Sequence, residues 1–440
     1  MSRGRLAVFR ITVFAAMLFV VFPPLAGAEQ GRRRGDFYTL KLVVIGPGDD
    51  VFTWWGHLGV IVENAFTGKE QFYDYGVFSF YAENFYKNLI AGNWDYSMQV
   101  RDAAVDIGWY IKTNRDIIYY TLNLDAQQKE TLVDFLDWNV RPENRNYFYK
   151  LFTDNCVTRV MLLLDQTLEG QFLERYKNEP GRHTVRFHAN RHLYPSPVLY
   201  WLLNFIMGDT IDTPPSRYDE MYLPAEFAAG AADFFYTSKD GVTVPLVSDI
   251  EVISTSKGRN LALDKPPRAY IPGIIVSLIL AFIFLYIRHN YIQKNYIQKN
   301  STLQQKNHSR RLWAYVQIVW ALLWGILGTV LFLAEFFSNH IYTYRNINVI
   351  FANPIILAGI PLSLLAFFAK KEKTALLCGT ILRFLWVYML LAAILTIVVR
   401  ISPLYYQDNH LTLILLIPST LVFCCTEKPL GGQNTGLLRN

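Results

Sequence analysis

Phe152-Thr153-Asp154-Asn155-Cys156-Val157-Thr158-Arg159 is the stretch on which the reading of this chain turns. Val157, Val160, Met161 and Leu164 recur at helical spacing, and Asp154 stands just ahead of them as an N-cap. Cys156 is thereby predicted to sit in the first turn of a helix. There the unpaired backbone N–H groups and the helix dipole favour an anion, and so a thiolate. Cys156 is also the only cysteine before Cys378. A lone cysteine at a helix start suits a nucleophile; a buried structural thiol is the plain alternative.

A thiol nucleophile needs an imidazole, and the chain upstream offers one. Phe37 to Ile45 alternates as a strand and closes on Gly46-Pro47-Gly48-Asp49-Asp50. Trp54 to Val62 reads as a second strand carrying His57, with Gly56 and Gly59 expected to clear space around the ring. Asn64 to Gly68 is a turn, and Glu70 to Phe80 is a third strand, antiparallel to the second. A turn centred on Phe66 sets Tyr75 across from His57 and points Asp74 away, unless the register slips by one residue. Tyr75 and Asp74 are therefore rival orienters of the histidine. One oxyanion donor is the N–H of Cys156; the second has no candidate.

Beyond these strands, Tyr119 to Leu124 reads as a strand, and Asp125 with Gln128 makes a capping box that opens a helix to Asn139. Glu169 to His192 looks like a polar loop. His183, His188 and His192 lack regular ligand spacing, so no metal and no cofactor are expected. Ser196-Pro197 opens an apolar helix that runs to Gly208, to lie against lipid or the core.

The chain's 440 residues, with a net charge of +6, accommodate one large exported domain and a membrane region. Residues 1–28 have the form of a secretory signal, with Arg3, Arg5 and Arg10 before an apolar run and Ala26-Gly27-Ala28 as a cleavage site. Residues 29–270 form the exported domain and 271–440 the membrane domain. Five spans are expected at 271–287, 313–336, 349–369, 375–399 and 411–425. The loop 288–311 carries Arg288, Lys294, Lys299, Lys306, Arg310 and Arg311, which places it inside. No basic stripe interleaved with aromatics speaks for nucleic acid.

The order of His57 on a strand and Cys156 on a later helix is that of the circularly permuted, papain-like NlpC/P60-like group. The expected fold is therefore α+β, a domain of that kind followed by a helical membrane domain of about five spans. Trp55-Gly56-His57, Tyr73 to Phe78, Leu122-Asn123-Leu124 and Asp154 to Arg159 resemble the Lnb N-terminal periplasmic domain, as do Gly208-Asp209, Asp212, Glu220 and Leu223-Pro224. His340, Asn346-Ile347-Asn348 and Asn353-Pro354 resemble the Lnb C-terminal transmembrane domain. Asp74 departs from the pattern, which has Asn there in many relatives.

The resemblance implies a lipoprotein N-acyltransferase of the bacterial inner membrane, with its catalytic domain in the periplasm. Its acyl donor would be a phospholipid and its acceptor the N-terminal amine of a diacylglyceryl-cysteine lipoprotein. Cys156 would carry the acyl chain as a thioester, with His57 as base. His340, Asn346, Asn348 and Asn353 become candidate contacts for the donor at the outer ends of spans two and three; joining the two helices is the alternative role. A thiol hydrolase (amidase, peptidase or phospholipase) would use the same nucleophile and base. A scaffold would use neither.

Overall fold

A computed structural model describes residues 32–81, 83–259, 263–401 and 405–425. The signal and cleavage site expected at residues 1–28 lie outside the described residues. The N-terminal domain is built on a seven-stranded sheet whose order is β6-β4-β3-β2-β1-β5-β9. These strands are β1 (Tyr38–Ile45), β2 (His57–Asn64), β3 (Lys69–Val77), β4 (Trp94–Asp102), β5 (Ile117–Leu122), β6 (Asn146–Tyr149) and, after the short hairpin of β7 (Phe235–Thr237) and β8 (Thr243–Pro245), β9 (Val247–Ser254). Every neighbouring pair in the sheet is antiparallel. The result is a mixed sheet-and-helix domain followed by a helical region.

Alternation along the central strands gives the sheet two buried faces. Leu40, Leu42, Val44, Leu58, Val60, Val62, Tyr73 and Tyr75 pack in one cluster with Val157, Val160 and Leu164. Val43, Ile45, Ile61 and Phe72 pack on the other side with Ile107 and Tyr110. Helix α1 (Phe85–Ala91) precedes β4, and α2 (Ala103–Lys112) covers the second face. Helices α3 (Ala126–Asn139) and α4 (Cys156–Thr167) lie on the first.

Three local expectations change. The second strand starts at His57, not Trp54, because Val51–Thr53 is a 3-10 turn and Gly56 reverses the chain at φ +78°. Residues 169–192 are not a loop but carry helices at Gln171–Tyr176 and Val185–His192. The α4 cap is Asn155 rather than Asp154. Asn155 Oδ1 accepts from the N–H of Val157 and Thr158 at 2.8 and 2.9 Å, while its own N–H donates to Thr158 Oγ1 at 2.8 Å. Asp154 instead takes a two-pronged contact from Arg159, at 2.6 and 3.0 Å. The Asp125–Gln128 capping box forms as expected, at 2.7 and 2.9 Å.

Among the described residues of the C-terminal region, four helical segments are long and apolar enough to cross a membrane: Tyr270–Ile297, Leu303–Phe337, Ile347–Phe368 and Glu372–Val399. The fifth expected span forms His410–Cys424. Its 15 residues reach about 22 Å, short of a bilayer core of about 30 Å. Helix α5 (Pro197–Ile206) joins this region rather than lying free: Phe205 is buried 6.0 Å from Trp324, and Trp201 meets the same indole at 6.1 Å.

Asn155 is buried, and its Nδ2 also donates to Leu151 O and Tyr222 O at 2.9 and 3.1 Å. Asn155→Ala removes the cap and strands two carbonyls, an expected loss of roughly 2–4 kcal/mol. The melting temperature of the detergent-solubilised chain should fall by about 2–4 °C per kcal/mol. Asn155→Asp, which keeps the cap, should lose less.

Candidate active site

The register of the β2–β3 hairpin decides what His57 meets. Asn64 pairs with Lys69 and Val60 with Tyr73, so the loop holds an even number of residues and its centre lies beyond Phe66. Asn64 Oδ1 pins that loop by accepting from the N–H of Phe66 and Thr67 at 3.0 and 3.1 Å. Against the turn centred on Phe66, this is a one-residue slip, and it exchanges the two faces of β3. Asp74 comes to His57, with Oδ1 2.8 Å from Nε2. Tyr75 turns to the opposite face, where its hydroxyl donates to Asn139 Oδ1 at 2.7 Å.

Asp74 is buried and fully engaged. It accepts from the N–H of Gly76 at 2.6 Å, and Arg101 stands 3.5 Å from its other oxygen. Burial pushes the Asp74 carboxyl upward, but the His57 charge and hydrogen bond, the Gly76 N–H and Arg101 outweigh it, leaving the value below the ordinary 3.8. For His57 burial pulls downward; the negative charges of Asp74, Cys156 and Tyr110 outweigh it and hold the imidazole well above 6.5. The group thus favours imidazolium opposite carboxylate. With Nε2 committed to Asp74, Nδ1 is the nitrogen left for proton transfer.

The glycine beside the ring is Gly76, not the pair expected from sequence. A Cβ on Gly76 would run into His57 Cε1. A Cβ on Gly59 would strike Phe72, and one on Gly56 would meet Ile45 O at 2.8 Å, so those two serve strand packing.

Cys156 is a buried free thiol at the N-terminal residue of α4. It approaches from the α4 side of the sheet while His57 leaves the α2 side, and a negative charge on Cys156 is among those that raise the His57 value. Among the described residues the N–H of Cys156 has no acceptor, as the first position of a helix allows. The loop before it is braced from two directions. Lys150 and Asp154 bridge through their backbones, and the Arg159 guanidinium lies 3.7 Å over the Tyr147 ring. The Tyr147 hydroxyl in turn donates to Tyr75 O.

Arg115 was not legible as a site residue. It is buried at the same sheet end, with Nε donating at 2.8 Å to Gly46 O, one residue past the Ile45–His57 pair. Its guanidinium lies 5.1 Å over Tyr110, and its Nη2 has no partner among the described residues. Burial lowers its pKa from 12.5, and the Cys156 charge works against that fall. Its only sequence signal is a lone arginine just before a strand.

The four membrane-side candidates are spent on protein partners. His340 Nε2 meets Leu89 O at 3.0 Å and Nδ1 meets the Tyr342 hydroxyl at 2.8 Å. Asn346 and Asn348 both donate to Phe205 O, at 3.0 and 2.9 Å. Asn353 Nδ2 donates to Val349 O, Ile350 O and the Tyr388 hydroxyl. The His340 contact ties α1, and the Asn346 and Asn348 contacts tie α5, to the membrane region, whereas Asn353 bonds within that region. They place the end of the sheet that carries His57 beside it.

Residues 29–190 match the family model of the Lnb N-terminal periplasmic domain. His57, Asp74, Arg115 and Cys156 all fall inside this Lnb-type segment. No curated protein and no solved structure matches the chain. A segment similar to the Lnb N-terminal periplasmic domain, followed among the described residues by four helices long and apolar enough to cross a membrane, fits a membrane protein.

The electrostatics set a pH test. A folded value above 6.5 means that the His57 contribution to stability is whole below pH 6.5 and fades as pH rises through the raised value. The Asp74 contribution is present above 3.8 and fades as pH falls through its lowered value. In Asp74→Asn, burial acts on His57 with less opposition, so its titration midpoint should fall relative to the wild-type chain. Histidine-labelled NMR of the solubilised chain, assigned with His57→Gln, reads this directly. Gly76→Ala should shift the same signal with Asp74 intact.

Proposed function

We propose that this protein is a lipoprotein N-acyltransferase, with Cys156 as nucleophile, His57 as general base and acid, and Asp74 as the group that orients His57. The observation that carries the reading is where this group sits. The Cys156 helix start and the His57–Asp74 pair share one end of the sheet, and that end is tied to the membrane region through Leu89 and Ala91. The resemblance to Lnb proteins supplies the reaction class.

In the first half, the Cys156 sulfur adds to the carbonyl carbon of a phospholipid ester, and the N–H of Cys156 donates to the oxyanion. Collapse breaks the C–O bond. His57 gives a proton to the departing lysophospholipid oxygen, and the acyl chain remains as a thioester. In the second half, the α-amine of the lipoprotein's diacylglyceryl cysteine attacks that thioester and loses its proton to His57. The C–S bond breaks, an amide forms and the thiolate returns, which makes the kinetics ping-pong. Both substrates are membrane-anchored, and confinement to one leaflet converts a search in volume into a search in a plane. The placement that follows is the bacterial inner membrane, multi-pass, with the catalytic domain in the periplasm.

His340, Asn346 and Asn348 enter this reading by fixing the height of the thiol over the bilayer, and Asn353 by bracing the helices they stand on. A thiol hydrolase differs only in admitting water to the thioester.

The test is mass spectrometry of the N-terminal peptide of a reporter lipoprotein, in a host that lacks its own N-acylation. The chain should add one acyl group to the amine. Cys156→Ser and His57→Ala should each lower transfer by at least about a thousandfold, and Asp74→Asn by about 10²–10⁴-fold. A free amine in the presence of folded wild-type protein refutes the transferase and favours the hydrolase.

A further inference from the structure

Between β3 and β4 the chain makes an excursion with an unusual surface. Phe78–Tyr81 leave the sheet and α1 follows, and no residue of α1 is buried. Tyr81 is 98% exposed, Ile90 74%, Tyr86 70% and Phe80 51%, with Phe52 from the neighbouring turn at 55%. Scattered exposed apolar residues are ordinary on a soluble protein; five on one short segment and its neighbour are a patch. Lys87 is exposed among them.

The patch lies beside the membrane region. Asn339, just past the Leu303–Phe337 helix, donates its N–H to Ala91 O at 2.8 Å. His340 meets Leu89 O at 3.0 Å, and a Cβ on Gly92 would come within 2.8 Å of the Asn339–His340 peptide. This close approach fixes α1 at the outer rim of the helical region. Tyrosine, phenylalanine and a flanking lysine at that level are the composition of a membrane–water interface.

The patch also continues inward. Phe80 and Phe78 lie edge to face at 4.9 Å. Phe78 stacks on Tyr96 at 5.0 Å, and Tyr96 stacks on Tyr149 at 4.2 Å. Tyr149 ends β6, whose following residue Lys150 pairs with Asp154 in the loop that leads to Cys156. The rings thus make an unbroken apolar track from the exposed segment to the neighbourhood of the thiol.

We propose that Phe78–Tyr81 and α1 dip into the outer surface of the bilayer, and that the Phe80–Phe78–Tyr96–Tyr149 track receives a lipid acyl chain and leads its carbonyl end to Cys156. The occupant is a phospholipid chain, a choice that rests on the lipid-donor reading above. A long chain supplies many apolar contacts along such a track, each contributing burial energy that a short chain lacks.

The test uses the full chain in lipid nanodiscs and needs no acyl transfer, so it stands or falls apart from the reporter assay. In a chain carrying Cys156→Ser, Cys378→Ser, Cys424→Ser and Cys425→Ser, a fluorophore is attached at Tyr81→Cys or at Phe66→Cys. Phe66 is 79% exposed and sits in the β2–β3 turn at the far end of the sheet. Phospholipids brominated near the carbonyl should quench the Tyr81 probe and leave the Phe66 probe bright. In a second chain that keeps only Cys156, N-dodecylmaleimide and N-ethylmaleimide compete for the thiol. Phe80→Glu and Tyr86→Glu, both on the exposed surface, should slow the dodecyl reagent about tenfold and leave the ethyl reagent unchanged. An unquenched Tyr81 probe overturns the interfacial placement. Equal slowing of both reagents, or of neither, overturns the acyl track.

Discussion

The contact on which the site depends is the 2.8 Å bond between His57 and Asp74, and that bond depends on the length of a turn. Side chains on a strand alternate with a period of two, so a single residue gained or lost between β2 and β3 exchanges the partners offered to His57. Asn64 fixes the count by holding the N–H groups of Phe66 and Thr67. With the count fixed, Asp74 arrives beside the imidazole, Gly76 leaves room for the ring, and Tyr75 is sent to brace α3 through Asn139. The partner of His57 is therefore decided in a solvent-exposed loop at the other end of the hairpin.

A second constraint governs height above the membrane. Apolar contact alone lets two bodies slide, because dispersion is non-directional. The joint here is instead a set of directional bonds to main-chain carbonyls. Phe205 O accepts from both Asn346 and Asn348, while Gln407 reaches Met207 O and Asn346 Oδ1 at 3.0 and 2.9 Å. Gly208 donates to Tyr342 O at 2.9 Å, and a side chain at Gly208 would collide with Tyr344 O. Tyr342 also packs on Phe152 in the loop before Cys156, with ring centroids 5.6 Å apart. The joint and the loop before Cys156 thus share a wall. Buried polar groups of this kind are costly unless every one is met, and here mutual satisfaction fixes one geometry.

What the sequence made legible was local, and what it hid was relational. The Cys156 helix, the Asp125–Gln128 capping box and the strand that carries His57 are written in spacing and end signals a few residues long. The N-cap was misplaced by one position because Asp154 and Asn155 are both good caps, and only the tertiary contact of Asp154 with Arg159 assigns Asn155. Hairpin register was open for a similar reason: Ala65-Phe66-Thr67-Gly68 is compatible with more than one closure. Arg115 could not be read at all, since a buried arginine differs from an exposed one only by its surroundings. Helix lengths in the membrane region were clear where apolar runs were long. The last, at 15 residues, matched a span in composition but not in reach.

In the proposed reaction the thiol faces opposed demands. Its partner imidazole is stabilised as a cation by buried carboxylate, which calls for a polar, ordered setting. An acyl chain calls for a dry, apolar one. The sheet resolves this by its two faces. His57, Asp74, Arg101 and Tyr110 gather on the α2 side, whereas Tyr96, Tyr147 and Tyr149 gather on the side from which Cys156 approaches. Only at the sheet's end do the two sets come within reach of one thiol. Placing the sulfur at the seam lets charge be managed on one side and chain burial on the other, a division that a nucleophile in mid-strand, confined to a single face, does not permit.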